Sequence, residues 1–126
     1  MIPEGLRYTK EHEWAKKDGD LVVVGITDFA QGELGDVVFV ELPAVGRKVA
    51  VGESFGTIEA VKTVSELYAP MAGEVVAVNG DIAGEPGVVN ASPYDKGWMI
   101  KLRPANPAEF DALLDAAAYT SLLENH

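Results

Sequence analysis

To about Leu102 the chain is cut into short β-prone runs, and this punctuation leaves little choice but a β architecture. The runs cover residues 21–26, 36–42, 54–61, 64–69, 74–78 and 98–102, each rich in Val, Ile, Phe or Tyr and bounded by Gly, Pro, Asn or Asp. Several, such as Val37-Val-Phe-Val40, are continuously apolar rather than alternating, a pattern that predicts strands covered on both faces. A mainly β sandwich or flattened barrel accommodates such strands. Pro70-Met-Ala-Gly73 and Glu85-Pro-Gly87 supply the residues of turns.

Helical signals are confined to two places. Thr27 as N-cap, Asp28 in the first turn and Gly35 just past the end mark a short helix over 27–34. A second start lies at Asn106, with Pro107 at the first helical position and Glu109 three residues beyond the cap. Phe110, Leu113, Leu114 and Ala117 follow at helical spacing, which predicts one apolar stripe packed on the sheet. No internal repeat or linker divides the chain, so a single domain over 1–126 is expected, with a β core at about 6–103 and a helical segment at about 106–124.

Composition narrows the function. The formal charge of −10 repels phosphate backbones and anionic headgroups, which argues against nucleic acid and membrane partners. Without cysteine there is no disulfide, thiolate ligand or thiol nucleophile, so any sulfur chemistry has to be imported. The opening residues lack the apolar stretch of a signal peptide, and runs such as 21–24 are far too short to span a bilayer, so the cytoplasm is the expected compartment. The sequon Asn90-Ala-Ser92 then has no consequence. Of the two histidines, His126 is terminal and His12 lies within Glu11-His12-Glu13, whose neighbours would point to opposite faces of a strand and could not converge on a metal. No phosphate-binding loop or nucleophile elbow is present. Trp14, Tyr94 and Trp98 are expected in the core, and Gly97 at a bend or close backbone approach.

The segment 56–70 is different in kind. Two β-prone runs of similar length flank one lysine, and folded as a hairpin they place Lys62 at the turn with its amine projecting clear of the sheet. Spacing alone leaves two readings open, a handle for modification or a lysine that keeps a hairpin soluble.

Glu59-Ala-Val-Lys62 followed by Ser65-Glu-Leu-Tyr-Ala-Pro-Met-Ala-Gly-Glu-Val-Val-Ala-Val-Asn79 closely resembles the lipoyl-attachment region of the glycine cleavage H proteins. Tyr8-Thr-Lys-Glu-His-Glu-Trp14, Gly25-Ile-Thr-Asp28, Gly35-Asp-Val-Val-Phe-Val-Glu-Leu-Pro43, Asn90-Ala-Ser-Pro-Tyr94 and Gly97-Trp-Met-Ile-Lys-Leu102 match the same family in order. Biotin carriers usually hold their lysine between methionines, whereas Val61 and Thr63 flank it here. Where many members have Ser, Ala and Asp, this chain has Ala60, Thr63 and Glu66, small or charge-preserving changes.

The resemblance implies a lipoyl/biotinyl-carrier-like flattened barrel-sandwich with a lysine-bearing hairpin, one internal helix and C-terminal helices. It implies lipoate joined to Lys62 by a lipoate ligase or lipoyltransferase, in a carrier that is not itself an enzyme. The carrier would take an aminomethyl group from a pyridoxal-phosphate glycine decarboxylase to a tetrahydrofolate-dependent aminomethyltransferase. Dihydrolipoyl dehydrogenase, with FAD and NAD, would reoxidise it. A monomer is expected. Polar side chains within the arm's reach could pair the ammonium of its cargo: Glu13 first, then Ser65 and Glu66, and Glu33 last, with the solvated-surface reading at least as strong for Glu33 and Glu66. Two alternatives stay open: a carrier of the same fold that relays lipoate to other enzymes, and an unmodified β-sandwich binding module.

Overall fold

The computed structural model describes residues 2–125. Strands β1 (Arg7–Tyr8), β2 (Glu13–Asp18) and β3 (Leu21–Ile26) open the chain, and α1 (Asp28–Leu34) leads to β4 (Val37–Glu41). Next come β5 (Lys48–Val49) and a hairpin of β6 (Ser54–Ala60) and β7 (Val64–Tyr68). After β8 (Gly73–Val78) the single-turn helices α2 (Asp81–Gly84) and α3 (Val88–Ala91) precede β9 (Ile100–Pro104). A 3-10 helix (Pro107–Ala112) and α4 (Ala116–Glu124) follow.

The strands form a six-stranded sheet in the order β1-β2-β3-β9-β8-β5 and a three-stranded sheet in the order β4-β6-β7, every pairing antiparallel. Alternation decides which side chains meet between them. Val22, Val24 and Ile26 of β3, Ile100 and Leu102 of β9 and Val75 of β8 face Val40 of β4, Phe55 and Ile58 of β6 and Leu67 of β7 in one buried cluster. This is the mainly β, flattened sandwich that the residue pattern and the resemblance predict. Among the described residues no helix is long and apolar enough to cross a membrane.

A second cluster lies on the other face of the six-stranded sheet, where Tyr8, Trp14 and Tyr119 are buried under α4. Trp14 stands opposite Gly25 in the β2–β3 register, and a Cβ on Gly25 would come within 2.7 Å of the indole. The indole Nε1–H donates to the Pro93 carbonyl at 2.9 Å, so the ring cannot swing away without leaving that group unsatisfied. Gly25→Ala should therefore cost about 1–3 kcal/mol through overpacking, read as a lower urea midpoint at unchanged slope.

Two expectations fail for identifiable reasons. Val37 and Val40 are buried, but Val38 and Phe39 are 51% and 48% exposed. A two-sheet sandwich covers only the inner face of each sheet, and a bulge between Val37 and Phe39 turns both buried valines inward. The chain after Asn106 is not one continuous helix. Asn106 does cap it, Oδ1 accepting from Ala108 N–H at 3.2 Å, but the turns that follow are 3-10, and Glu109 accepts from Ala72 N–H instead of closing a capping box. Leu114 then runs extended, exchanging backbone hydrogen bonds of 2.7 and 3.0 Å with Tyr8 at the edge of β1. Asp115 starts α4 afresh, its side chain accepting from Ala118 N–H at 2.8 Å. The open edge of β1 competes for the backbone that a continuous helix would use.

Candidate functional site

The β6–β7 hairpin pairs Glu59 with Val64, and Ala60 N–H donates to the Thr63 carbonyl at 2.8 Å, which leaves Val61 and Lys62 at the exposed turn. The tip is not free-standing. Val61 N–H donates to the Asp36 carbonyl at 3.0 Å, tying it to the link between α1 and β4. That link ends α1 at Gly35, whose φ of 81° belongs to the left-handed region and whose N–H reaches Gln31 at 2.9 Å. The Lys62 stem does not simply project outward. It passes over Gly35, where an added Cβ would meet Lys62 Cε at 3.3 Å. Asn90 holds the link from below, donating to the Gly35 carbonyl at 2.8 Å and to Gln31 Oε1 at 2.9 Å while accepting from Val37 N–H at 2.9 Å.

Beside this link a cleft of about 210 Å³ opens between α1, the start of β2 and strand β7. Phe29, Ala30, Glu33 and Leu34 form one wall, Ser65, Glu66 and Leu67 another, and Glu13 lies between them. The four polar residues singled out in the sequence therefore share one cavity, although they come from three separate elements. They differ in burial. Glu33, Ser65 and Glu66 are exposed at the rim, whereas Glu13 is 2% exposed. None of Trp14, Tyr94 and Trp98 lines this cleft; Trp14 is in the second core cluster, with Tyr94 and Trp98 packed against it. Gly97 serves close approach, since a Cβ there would stand 2.8 Å from the Ser92 carbonyl.

The acidity of the Glu13 carboxyl is strongly altered. Burial pushes its pKa up to about 8, against the opposing pull of hydrogen bonds donated by Thr9 Oγ1 at 2.8 Å and Tyr68 N–H at 3.4 Å. At pH 7 most molecules hold a proton there. A group of this kind can stay neutral in an empty cleft and ionise when a cation arrives to pair with it.

His12 Nδ1 is 2.7 Å from Tyr119 Oη, and among the described residues no group of three or more His, Asp or Glu is placed to hold a metal ion. His126 lies outside the described residues. A larger depression of about 770 Å³ beside α2 collects Asp81, Glu85, Asp95 and Lys96, but nothing from the lysine hairpin reaches it. Sequence reading missed Asn90 and Thr9. Asn90 lay in a quoted motif without a role, and its function depends on Gly35, 55 residues away.

Two antiparallel sheets packed as a flattened sandwich, with a lysine at the tip of a hairpin, have the fold of the lipoyl- and biotinyl-carrier class. The family of glycine cleavage H-proteins matches the chain over residues 6–126. A glycine cleavage system H protein from Anaeromyxobacter sp. (strain K) is 56% identical over 123 residues, spanning 98% of this chain and 96% of its own length. The mitochondrial H protein of Oryza sativa subsp. indica is 54% identical over 123 residues, spanning 98% of this chain and 75% of its own. A crystal structure of an H protein from Mycobacterium marinum aligns with a TM-score of 0.90 at 40% identity, covering 98% of this chain and 99% of that one. The chain belongs to the glycine cleavage H-protein family, the lipoyl carriers of the glycine cleavage system.

Proposed function

We propose that Lys62 carries lipoate through an amide and that the whole chain, β core and C-terminal segment together, acts as one carrier domain for an aminomethyl group. In this reading the group comes from a pyridoxal-phosphate glycine decarboxylase and passes to a tetrahydrofolate-dependent aminomethyltransferase. Dihydrolipoyl dehydrogenase, with FAD and NAD, then restores the carrier, and a lipoate ligase or lipoyltransferase installs the cofactor. When bound, lipoate supplies the redox-active sulfurs that a chain without cysteine cannot encode.

The observation that carries the reading is an exposed lysine whose stem crosses Gly35 beside a cleft that holds a buried carboxyl. The residues present fit such an arm. Phe29, Leu34, Ile26 and Ile58 offer apolar cover that excludes water, and Glu13 offers a partner for an ammonium. Thr9 holds Glu13 Oε1 in place as the carboxyl gives its proton to solvent and pairs with the cation. Ser65, Glu66 and Glu33 extend this polar contact at the rim.

Intact mass after expression with lipoate and a ligase tests attachment: the chain gains one lipoyl group, and a chain that stays unmodified overturns the reading. Glycine decarboxylation with the partner enzymes tests the carrier role. In Glu13→Ala the loaded carrier should lose its one-carbon unit about tenfold faster, and an unchanged lifetime removes Glu13 from the mechanism.

A further inference from the structure

We infer that Tyr119, on the C-terminal helix α4, is a positioning residue that braces two walls of the cleft through a single buried hydroxyl. The inference takes the cleft to be the arm's resting place, as proposed above. It starts from an anomaly in the loop before Glu13. His12 N–H donates to the Thr9 carbonyl at 3.1 Å and Thr9 N–H to the Glu13 carbonyl at 3.0 Å, which makes residues 9–12 a tight turn followed by a bulge. The bulge residue, His12, has φ of 71°, and it is the only non-glycine residue with positive φ among the described residues. Glycine or asparagine is favoured at such a position because a larger side chain raises the cost of the left-handed conformation.

Contacts to the imidazole explain why a histidine is tolerated there. Its Nδ1 lies 2.7 Å from Tyr119 Oη, its ring centroid is 4.7 Å from that of Phe29, and its carbonyl accepts from Thr27 N–H at 3.0 Å. Tyr119 Oη is also 2.8 Å from Thr27 Oγ1, and Thr27 Oγ1 in turn accepts from Ala30 N–H at 3.2 Å as the N-cap of α1. One phenol oxygen thus touches the turn that delivers Glu13 and the cap that delivers Phe29 and Ala30. The hydroxyl protons of Thr27 and Tyr119 are each used once if Thr27 donates to Tyr119 Oη and Tyr119 donates to Nδ1 of His12.

Tyr119 is itself well anchored. It is fully buried, and its ring stacks on Tyr8 with centroids 4.7 Å apart and planes 8° apart. Tyr8 is hydrogen-bonded through its backbone to Leu114, immediately before α4. Burial also pushes the Tyr119 phenol up to about 12, so it remains a donor over the working range of pH. The C-terminal helix therefore reaches the cleft through rigid, packed groups without lining it.

Tyr119→Phe tests this, because it keeps the stacked ring and removes only the oxygen. In the chain without lipoate, amide exchange at His12, Glu13, Thr27 and Ala30 should accelerate at least tenfold, while amides of β3 and β9 in the core keep their protection. In the lipoylated protein the loaded carrier should lose its one-carbon unit several-fold faster, with lipoylation of Lys62 proceeding at the wild-type rate. His12→Gly, which suits the turn but lacks the ring, should shorten the lifetime similarly, and the double variant should add little. Unchanged exchange at those four amides overturns the proposal. So does an acceleration spread evenly over the core, which would make Tyr119 an ordinary packing residue. The exchange measurement needs no lipoate, so it stands even if Glu13→Ala shows that the cleft does not shelter the arm.

Discussion

A chain with Arg in place of Lys62 folds with wild-type stability, stays at its unmodified mass in the presence of lipoate and ligase, and supports no glycine turnover. The fold is unaffected because Lys62 lies at an exposed turn, where substitutions typically change stability by no more than about 0.5 kcal/mol, and an arginine stem can cover Gly35 as the lysine stem does. The chemistry fails because acylation needs an amine that can lose its proton, and a guanidinium, far more basic than an amine, does not. Loss should be complete rather than graded, since the sequence has no cysteine that could stand in for the lipoyl sulfurs. Intact mass and the coupled decarboxylation assay read the two halves of this result. A Lys62→Arg chain that still turned over glycine would require a different attachment site and would end the present assignment.

The second large effect concerns pH. Glu13 has a pKa of about 8 in the folded chain, against 4.5 for an ordinary glutamate. Between those values the folded state holds a proton that the unfolded state has released, so stability falls as pH rises through this window. The slope contributed by this one group reaches about 1.4 kcal/mol per pH unit, and the accumulated difference is of the order of 4 kcal/mol by pH 8. Glu13→Gln imitates the protonated carboxyl at every pH. Its stability should therefore match wild type near pH 4, below the ordinary glutamate value, and exceed it increasingly toward pH 8. Urea unfolding of both chains at intervals across this range measures the effect, and parallel curves would show that Glu13 ionises normally. The same variant cannot form an ion pair, so its loaded carrier should be short-lived at pH 8 although the protein is more stable. Stability and protection would move in opposite directions, as expected where a buried ionisable group serves function at the expense of folding.

Much of this is legible in the sequence alone. The caps of α1 at Thr27 and Gly35 and the Asn106 cap are local devices, encoded within four or so residues, and they stand where the chemistry of Thr, Gly and Asn places them. The hairpin of β6 and β7 is also local, and Lys62 falls at its turn as the flanking runs predict. What failed was decided at a distance. Val37-Val-Phe-Val40 reads as doubly covered, but only the position of the three-stranded sheet at the outside of the sandwich exposes Val38 and Phe39. The helix expected after Asn106 breaks at Leu114 because Tyr8, from the other end of the chain, offers it a strand partner.

By itself, then, the sequence determined the β architecture, the hairpin and the lysine at its turn and, through resemblance, the proposal that Lys62 is the acceptor and the acids worth testing. Periodicity and capping act over a few residues and can be read without knowing what packs on what. Only the tertiary structure decided that Glu13 is buried, which pushes its carboxyl up to about 8, while Glu33, Ser65 and Glu66 stay at the rim, since burial follows the meeting of β2 with α1 and β7. It alone decided that Lys62 lies against Gly35 and that Tyr119 reaches His12 across 107 residues of sequence. Those contacts join segments that approach only when the two sheets close on one core, and no spacing rule along the chain records them.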